Sequence, residues 1–121
     1  MPPDQKSNDF HKQLGALMDE YVSTVYGCTK KFPPDERFEL TSQLKRAALS
    51  VVLNYIEGYA RQRSAVLKNF LEISFGSLKE SEYLVHFSYK QGFIGEPAHS
   101  ELSRLSDRIG VMLWGTLSKL K

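Results

Sequence analysis

Large apolar side chains recur every three or four residues in four successive stretches of this chain, and proline or glycine closes each of the first three. The first series runs Phe10, Leu14, Leu17, Tyr21, Val25, Cys28 and Phe32, a spacing that lines up side chains on one face of a helix. Pro33-Pro34 must end it, because proline offers no amide donor and keeps the residue before it out of the helical region. Asp35 and Glu36 then suit the positive end of a second helix. That helix carries Leu40, Leu44, Ala47, Ala48, Val51 and Tyr55 on one stripe and is expected to reach Gly58 or just beyond.

Ser64 is the expected N-cap of a third helix. Its apolar members Leu67, Phe70, Leu71, Leu78 and Val85 share a face with Ser74, Ser77 and Ser81. Gly76 inside this helix costs about 1 kcal/mol relative to alanine, so a close helix contact is expected near it. Gly92 is placed to terminate the helix, and Pro97 fits the first turn of a fourth, which repeats Leu102, Leu105, Ile109, Met112, Thr116 and Leu120. Connections this short return each helix along its predecessor. The predicted fold is therefore all-α, an antiparallel up-down-up-down four-helix bundle with neighbours about 20° from antiparallel.

The 121 residues suit one domain, which buries roughly two-thirds of its unfolded surface. About residues 1–8 are expected to form a flexible lead-in. A composition of 41% hydrophobic and 25% charged residues is that of a globule. The single cysteine, Cys28, excludes an intrachain disulfide and a Cys-rich zinc site. It points to a reducing, cytoplasmic setting. No run approaches the roughly 18 apolar residues of a membrane span, and the polar start Pro2-Pro3-Asp4-Gln5-Lys6 lacks the apolar stretch of a secretory signal.

Catalytic patterns are missing. There is no Gly-rich phosphate loop and no Gly-x-Ser-x-Gly turn. Glu96 and His99 have the Glu-x-x-His spacing of di-iron bundles, but such sites need two of these motifs and two further inward glutamates. Cys28 lies on the apolar stripe as a structural thiol. No enzyme activity, metal or cofactor is expected.

Net charge is only +2, from 16 Lys and Arg against 14 Asp and Glu, so its distribution matters more than its total. In the predicted topology the turn between helices two and three shares a pole with both termini. That pole gathers Lys6, Lys12, Arg61, Arg63, Lys68, Lys119 and Lys121 against Asp4, Asp9, Glu57 and Glu72. Clustered cations are the electrostatic footprint of phosphate binding; the same residues also suit a solvated helix end, since cations favour helix C-termini. Arg61, Arg63 and Lys68, with Lys45 and Arg46 on helix two, are the candidate phosphate contacts. Tyr55, Tyr59, Phe75, Tyr83, Phe87 and Tyr89 are candidates for stacking on unpaired bases; packing is the expected use of most of them, with Tyr59, beside Arg61 and Arg63, the leading exception. Asn54 and Glu57 project from one side of helix two. With Gly76 and Ser77 they are candidates for fixing helix or subunit packing.

Several of these segments occur together in a recognisable order: Val25-Tyr26, Phe32-Pro33, Gln43-Leu44-Lys45-Arg46-Ala47-Ala48, Asn54-Tyr55-Ile56-Glu57-Gly58, Arg61, and Phe70-Leu71 followed by Gly76-Ser77-Leu78. Over about residues 10–95 the chain resembles the four-helix-bundle proteins of 23S ribosomal RNA intervening sequences. It departs from them in having Asn-Tyr-Ile-Glu-Gly for their usual Asn-Ile-Ala-Glu-Gly, and in lacking a helix-one tryptophan. The resemblance implies bacterial origin, assembly into a homopentamer and no established catalytic activity. It extends to the accessory proteins of diversity-generating retroelements, similar basic pentameric bundles that bind nucleic acid and a reverse transcriptase. Two functions follow as expectations: an oligomer that binds RNA or DNA through its basic pole, or a protein-interaction scaffold, such as an accessory subunit for a reverse transcriptase.

Overall fold

The computed structural model describes the backbone of residues 5–120 and the side chains of residues 8–120. Four α-helices account for almost all of it: α1 (Gln5–Thr29), α2 (Leu40–Arg61), α3 (Ser64–Lys90) and α4 (Glu96–Leu117). Helix α1 begins at Gln5, and residues 1–4 of the expected lead-in lie outside the described residues. The helix ends before the proline pair, and Phe32 packs beyond it, ring to ring with Phe93 at 5.6 Å.

Asp35 and Glu36 do not open α2. Led by Pro34, they form a separate 3-10 turn (Pro34–Glu36), and α2 begins at Leu40 with no acidic residue in its first turn. Ser64 is the first residue of α3 rather than its cap; Arg63 precedes it in extended conformation without a side-chain capping bond. At the other end of α3, Gly92 adopts φ +80°. There the Phe93 amide donates to the Ser88 carbonyl and the Gly92 amide to the Tyr89 carbonyl, the paired bonds of a Schellman stop. Pro97 sits in the first turn of α4.

Each helix packs on its neighbour in sequence and α1 also packs on α4, while no close backbone approach joins α1 to α3 or α2 to α4. That is a closed square of four helices. Leu14, Met18, Val25, Leu44, Val51, Leu71, Leu78, Leu105, Ile109 and Leu113 fill its interior with almost no exposure. One hydrogen bond crosses the diagonal: Tyr21 on α1 meets Ser81 on α3 at 2.7 Å, and Ser81 also donates to the Leu78 carbonyl at 2.7 Å. Burial pushes the Tyr21 hydroxyl up to about 12.

The most intimate pair is α2 with α3. The Ser74 hydroxyl donates to the Val51 carbonyl at 2.6 Å, so a side chain of one helix bonds the backbone of the next. Ser50 and Ser77 meet at 2.7 Å. Near the turn, a Cβ added at Gly58 would lie 3.0 Å from Phe70 Cβ and 3.1 Å from Leu67 Cδ1. The glycine that permits close approach is therefore Gly58, not Gly76, whose Cα faces open space.

Two substitutions at this junction should act in opposite directions. Gly58→Leu forces side-chain atoms into the Phe70 contact and should lower stability by about 1–3 kcal/mol. Gln62 ends α2 at φ +62°, a left-handed conformation that strains any L side chain, so Gln62→Gly should raise stability by about 0.5–1 kcal/mol. Urea unfolding of both variants measures each effect. Tyr21 adds a pH dependence. An unfolded tyrosine ionises near pH 10, while the folded hydroxyl holds its proton to about 12. Its contribution is thus complete below pH 10 and lost as the pH rises through 12, amounting to at most about 3 kcal/mol. Tyr21→Phe should flatten the decline of stability between pH 10 and 12.

Candidate nucleic-acid interface

The two-residue connection Gln62-Arg63 turns α3 back along α2, bringing the start of α1 and the end of α4 to the same pole. Phe10, His11, Tyr59, Thr116, Lys119 and Leu120 line one cleft there, and Lys68 and Leu120 line another. Among the described side chains this pole holds Lys12, Arg61, Arg63, Lys68 and Lys119 against Asp9, Glu57 and Glu72. Asp4, Lys121 and the Lys6 side chain, included in the predicted pole, lie outside the described residues.

The cations differ in how free they are. Arg61 pairs with Glu57 one turn away, Nη2 to Oε1 at 2.6 Å, and lies over the Phe70 ring at 5.7 Å. Much of its charge is already met. Lys12, Arg63, Lys68 and Lys119 have no ion pair among the described residues, so their fields reach solvent. Arg63 stands exposed on the turn itself.

Tyr59 is less available than its position in the sequence suggests. It is half-buried, edge-on to His11 at 4.7 Å and tilted against Tyr55 at 4.9 Å. Tyr55 shares a hydrogen bond with His11 Nδ1, tying α1 to α2. Desolvation raises both tyrosine hydroxyls above their ordinary range, Tyr55 with a further push from neighbouring Tyr59. The cluster holds the pole together, with Tyr59 engaged in it and also lining the cleft.

Lys45 and Arg46 belong elsewhere. They lie in the second turn of α2, whereas Arg61 closes it fifteen residues later, roughly 22 Å along the axis at 1.5 Å per residue. The five candidate phosphate contacts therefore divide between two ends of the bundle. Lys45 lies over the Tyr26 ring at 4.5 Å and, with Arg46 and Arg37, lines a cleft beside the first connection.

The packing candidates divide too. Asn54 donates to the Ser50 carbonyl and hydroxyl at 2.8 and 2.9 Å, orienting Ser50 toward Ser77 across the helix pair. Glu57 instead serves Arg61. Glu96 accepts from Tyr89 at 2.5 Å and Ser100 at 3.0 Å, and His99 stacks on Tyr89 at 4.1 Å. No group of three potential metal ligands occurs among the described residues. Cys28 is half-buried, and desolvation raises its thiol.

Sequence reasoning missed a groove between α3 and α4. Phe75 and Trp114 pack ring against ring in it at 5.6 Å, and both line each of its two clefts, beside Gly76 in one and Gly110 and Gly115 in the other. Val111 and Trp114 are 73% and 57% exposed on its rim. The signal was Gly76: a glycine in mid-helix with no helix against it leaves room at the surface.

A protein-family model described as 23S rRNA-intervening sequence protein matches residues 16–115. The chain belongs to this family. The match takes in most of α1, all of α2 and α3 and most of α4, further along the chain than the motifs that first suggested it. It includes Arg61, Arg63 and Lys68 and leaves out Phe10, His11 and Lys119, so the family segment supplies only part of the pole. A crystal structure of a protein with unknown function from the S23 ribosomal protein family of Bacteroides thetaiotaomicron superposes with a TM-score of 0.82 at 18% identity, covering 91% of this chain and 99% of that one. That likeness establishes the fold shared by family members. No curated protein matches in sequence. No helix among the described residues is long and apolar enough to cross a membrane.

Proposed function

We propose that this family member associates with copies of itself and binds RNA or DNA through the phosphate backbone at its basic pole, without catalysing a reaction. The observation that carries the reading is the set Lys12, Arg63, Lys68 and Lys119, four cations at one pole with no ion-pair partner among the described residues. Such charges displace condensed counterions from phosphates, giving binding that is strong at low salt and tolerant of sequence. The link to ribosomal RNA genes in the family's name and the resemblance to nucleic-acid-binding retroelement accessory proteins support the same reading.

Self-association is supported by two unlike apolar surfaces. Leu53 and Ile56 are 58% and 57% exposed on the outward side of α2, forming a ridge. The α3–α4 groove around Phe75 and Trp114 is the second, a concave surface. A ridge on one copy entering the groove of the next makes a heterologous contact, which closes into a ring when the rotation allows. A pentamer is the ring the resemblance implies. The same groove also favours a second reading, in which a protein such as a reverse transcriptase occupies it and the bundle acts as a scaffold.

Two experiments test these statements. Fluorescence anisotropy of labelled RNA and DNA across a salt series should show binding that weakens steeply with salt. Arg63→Glu/Lys68→Glu should weaken it at least tenfold and flatten the slope by about two per engaged protomer. This pair is preferred to Arg61→Glu, which would set two glutamates against each other and lose the Phe70 contact. Absence of salt-dependent binding at micromolar protein would overturn the reading. Sedimentation velocity should find the wild type as one multi-subunit species and Ile56→Glu and Trp114→Glu as smaller ones. A monomeric wild type would refute self-association.

A further inference from the structure

The cleft at the pole opposite Arg63 has no part in the function proposed above, and its side chains are of a different kind. It measures about 350 Å³, at the lower end of the range for small-ligand sites. Arg37, Lys45 and Arg46 all line it, together with the hydroxyl residues Thr41 and Ser42, and no carboxylate is among its lining residues. The ion pairs of the described residues lie elsewhere, at Glu57, Glu82 and Glu101. Three like charges converging without a counter-charge repel one another, an arrangement that an incoming anion relieves.

The second feature is aromatic. Phe38 is 82% exposed, more than any other large hydrophobic side chain described, and it lies in the lining of the same cleft. The Arg37 guanidinium stands 5.4 Å from its centroid, and Lys45 is steadied over Tyr26 at 4.5 Å. The cleft therefore combines a flat apolar face, three cations and two hydroxyl donors.

We propose that this cleft binds a nucleotide unit, its base stacked on Phe38 and its phosphate held among Arg37, Lys45 and Arg46. Phosphate alone would need only the cations, and an apolar ligand only the phenylalanine. A nucleotide joins both requirements at a separation one cleft can meet. Base-on-aromatic stacking tolerates any base, so recognition is of the nucleotide class and not of one base. A base paired inside a duplex has no free face to offer, so the unit is either a free mononucleotide or an unpaired nucleotide of a strand. The site is separate from the basic pole and does not depend on it.

The test measures affinity for AMP and inorganic phosphate by equilibrium dialysis, and for a single-stranded decamer, its duplex and a decamer with abasic positions by anisotropy. The proteins are wild type, Phe38→Ala, Phe38→Tyr, Arg37→Glu/Arg46→Glu and, in the same series, the opposite-pole variant Arg63→Glu/Lys68→Glu. Phe38→Ala and the abasic positions should each weaken decamer binding about tenfold, Phe38→Tyr should restore it, and Arg37→Glu/Arg46→Glu should weaken it further. These ratios should persist in the Arg63→Glu/Lys68→Glu background, whatever that variant does to overall affinity. AMP binding with the same Phe38 dependence identifies a free nucleotide as ligand; decamer binding alone with that dependence identifies an unpaired strand. Affinities for AMP and the decamer both unchanged by Phe38→Ala, or no binding of any probe, would each overturn the proposal.

Discussion

The closeness of α2 and α3 organises the molecule. Ser74 reaches the Val51 carbonyl, Ser50 meets Ser77, and Gly58 lets Phe70 and Leu67 into the space a side chain would fill. Such contacts need small residues on both helices, and Ala47, Ala48, Gly58, Ser74 and Ser77 supply them. With the backbones held this near, two residues suffice to connect the helices, and Gln62 accepts a left-handed conformation to do so. Arg63 is thereby fixed at the apex of the turn, with Lys68 about a turn and a half further along α3. The electrostatics of the pole are thus a consequence of the packing below it.

The remaining helices complete the square with ordinary apolar stripes, supplemented at the centre by one polar contact, Tyr21 to Ser81. A hydrogen bond that crosses the diagonal restricts the register of α1 against α3, although their backbones do not approach. At the basic pole the tie between α1 and α2 is aromatic, through His11, Tyr55 and Tyr59. At the opposite pole Phe32 and Phe93 join the first and third connections. Each end is closed by rings, and charged residues stand outside them.

The helices could be read in the sequence because core-facing positions follow helical periodicity and proline or glycine breaks it. Gly92 and Pro97 perform the roles their chemistry predicts. Asp35 and Glu36 do not, because Pro34 imposes its own turn before α2 can start. Gly76 and Gly58 look alike in sequence, and only the placement of α3 against α2 distinguishes the glycine under a neighbouring helix from the one facing solvent. The same limit applies to charges. Arg61 and Arg63 are two residues apart, yet one is met by Glu57 and the other has no ion pair among the described residues. Lys45 and Arg46 share a helix with both but belong to the other end. Exposure of Phe38 and Trp114 was illegible, since an aromatic residue near a helix end reads equally as core or surface until the helices are placed.

Together these features describe a 23S rRNA-intervening sequence family bundle whose core is conventional and whose distinctive chemistry lies on its surface: free cations at one pole, a cationic aromatic cleft at the other, and apolar surfaces on the flanks. In the proposed function, nucleic acid meets the molecule at the pole formed by the α2–α3 turn. Hydrogen–deuterium exchange with and without a bound oligonucleotide tests it most directly, because it locates contact without altering a charge. Added protection over residues 61–68 is the predicted result. Protection confined to the Phe75–Trp114 groove, or none at the turn while the oligonucleotide is bound, would contradict it.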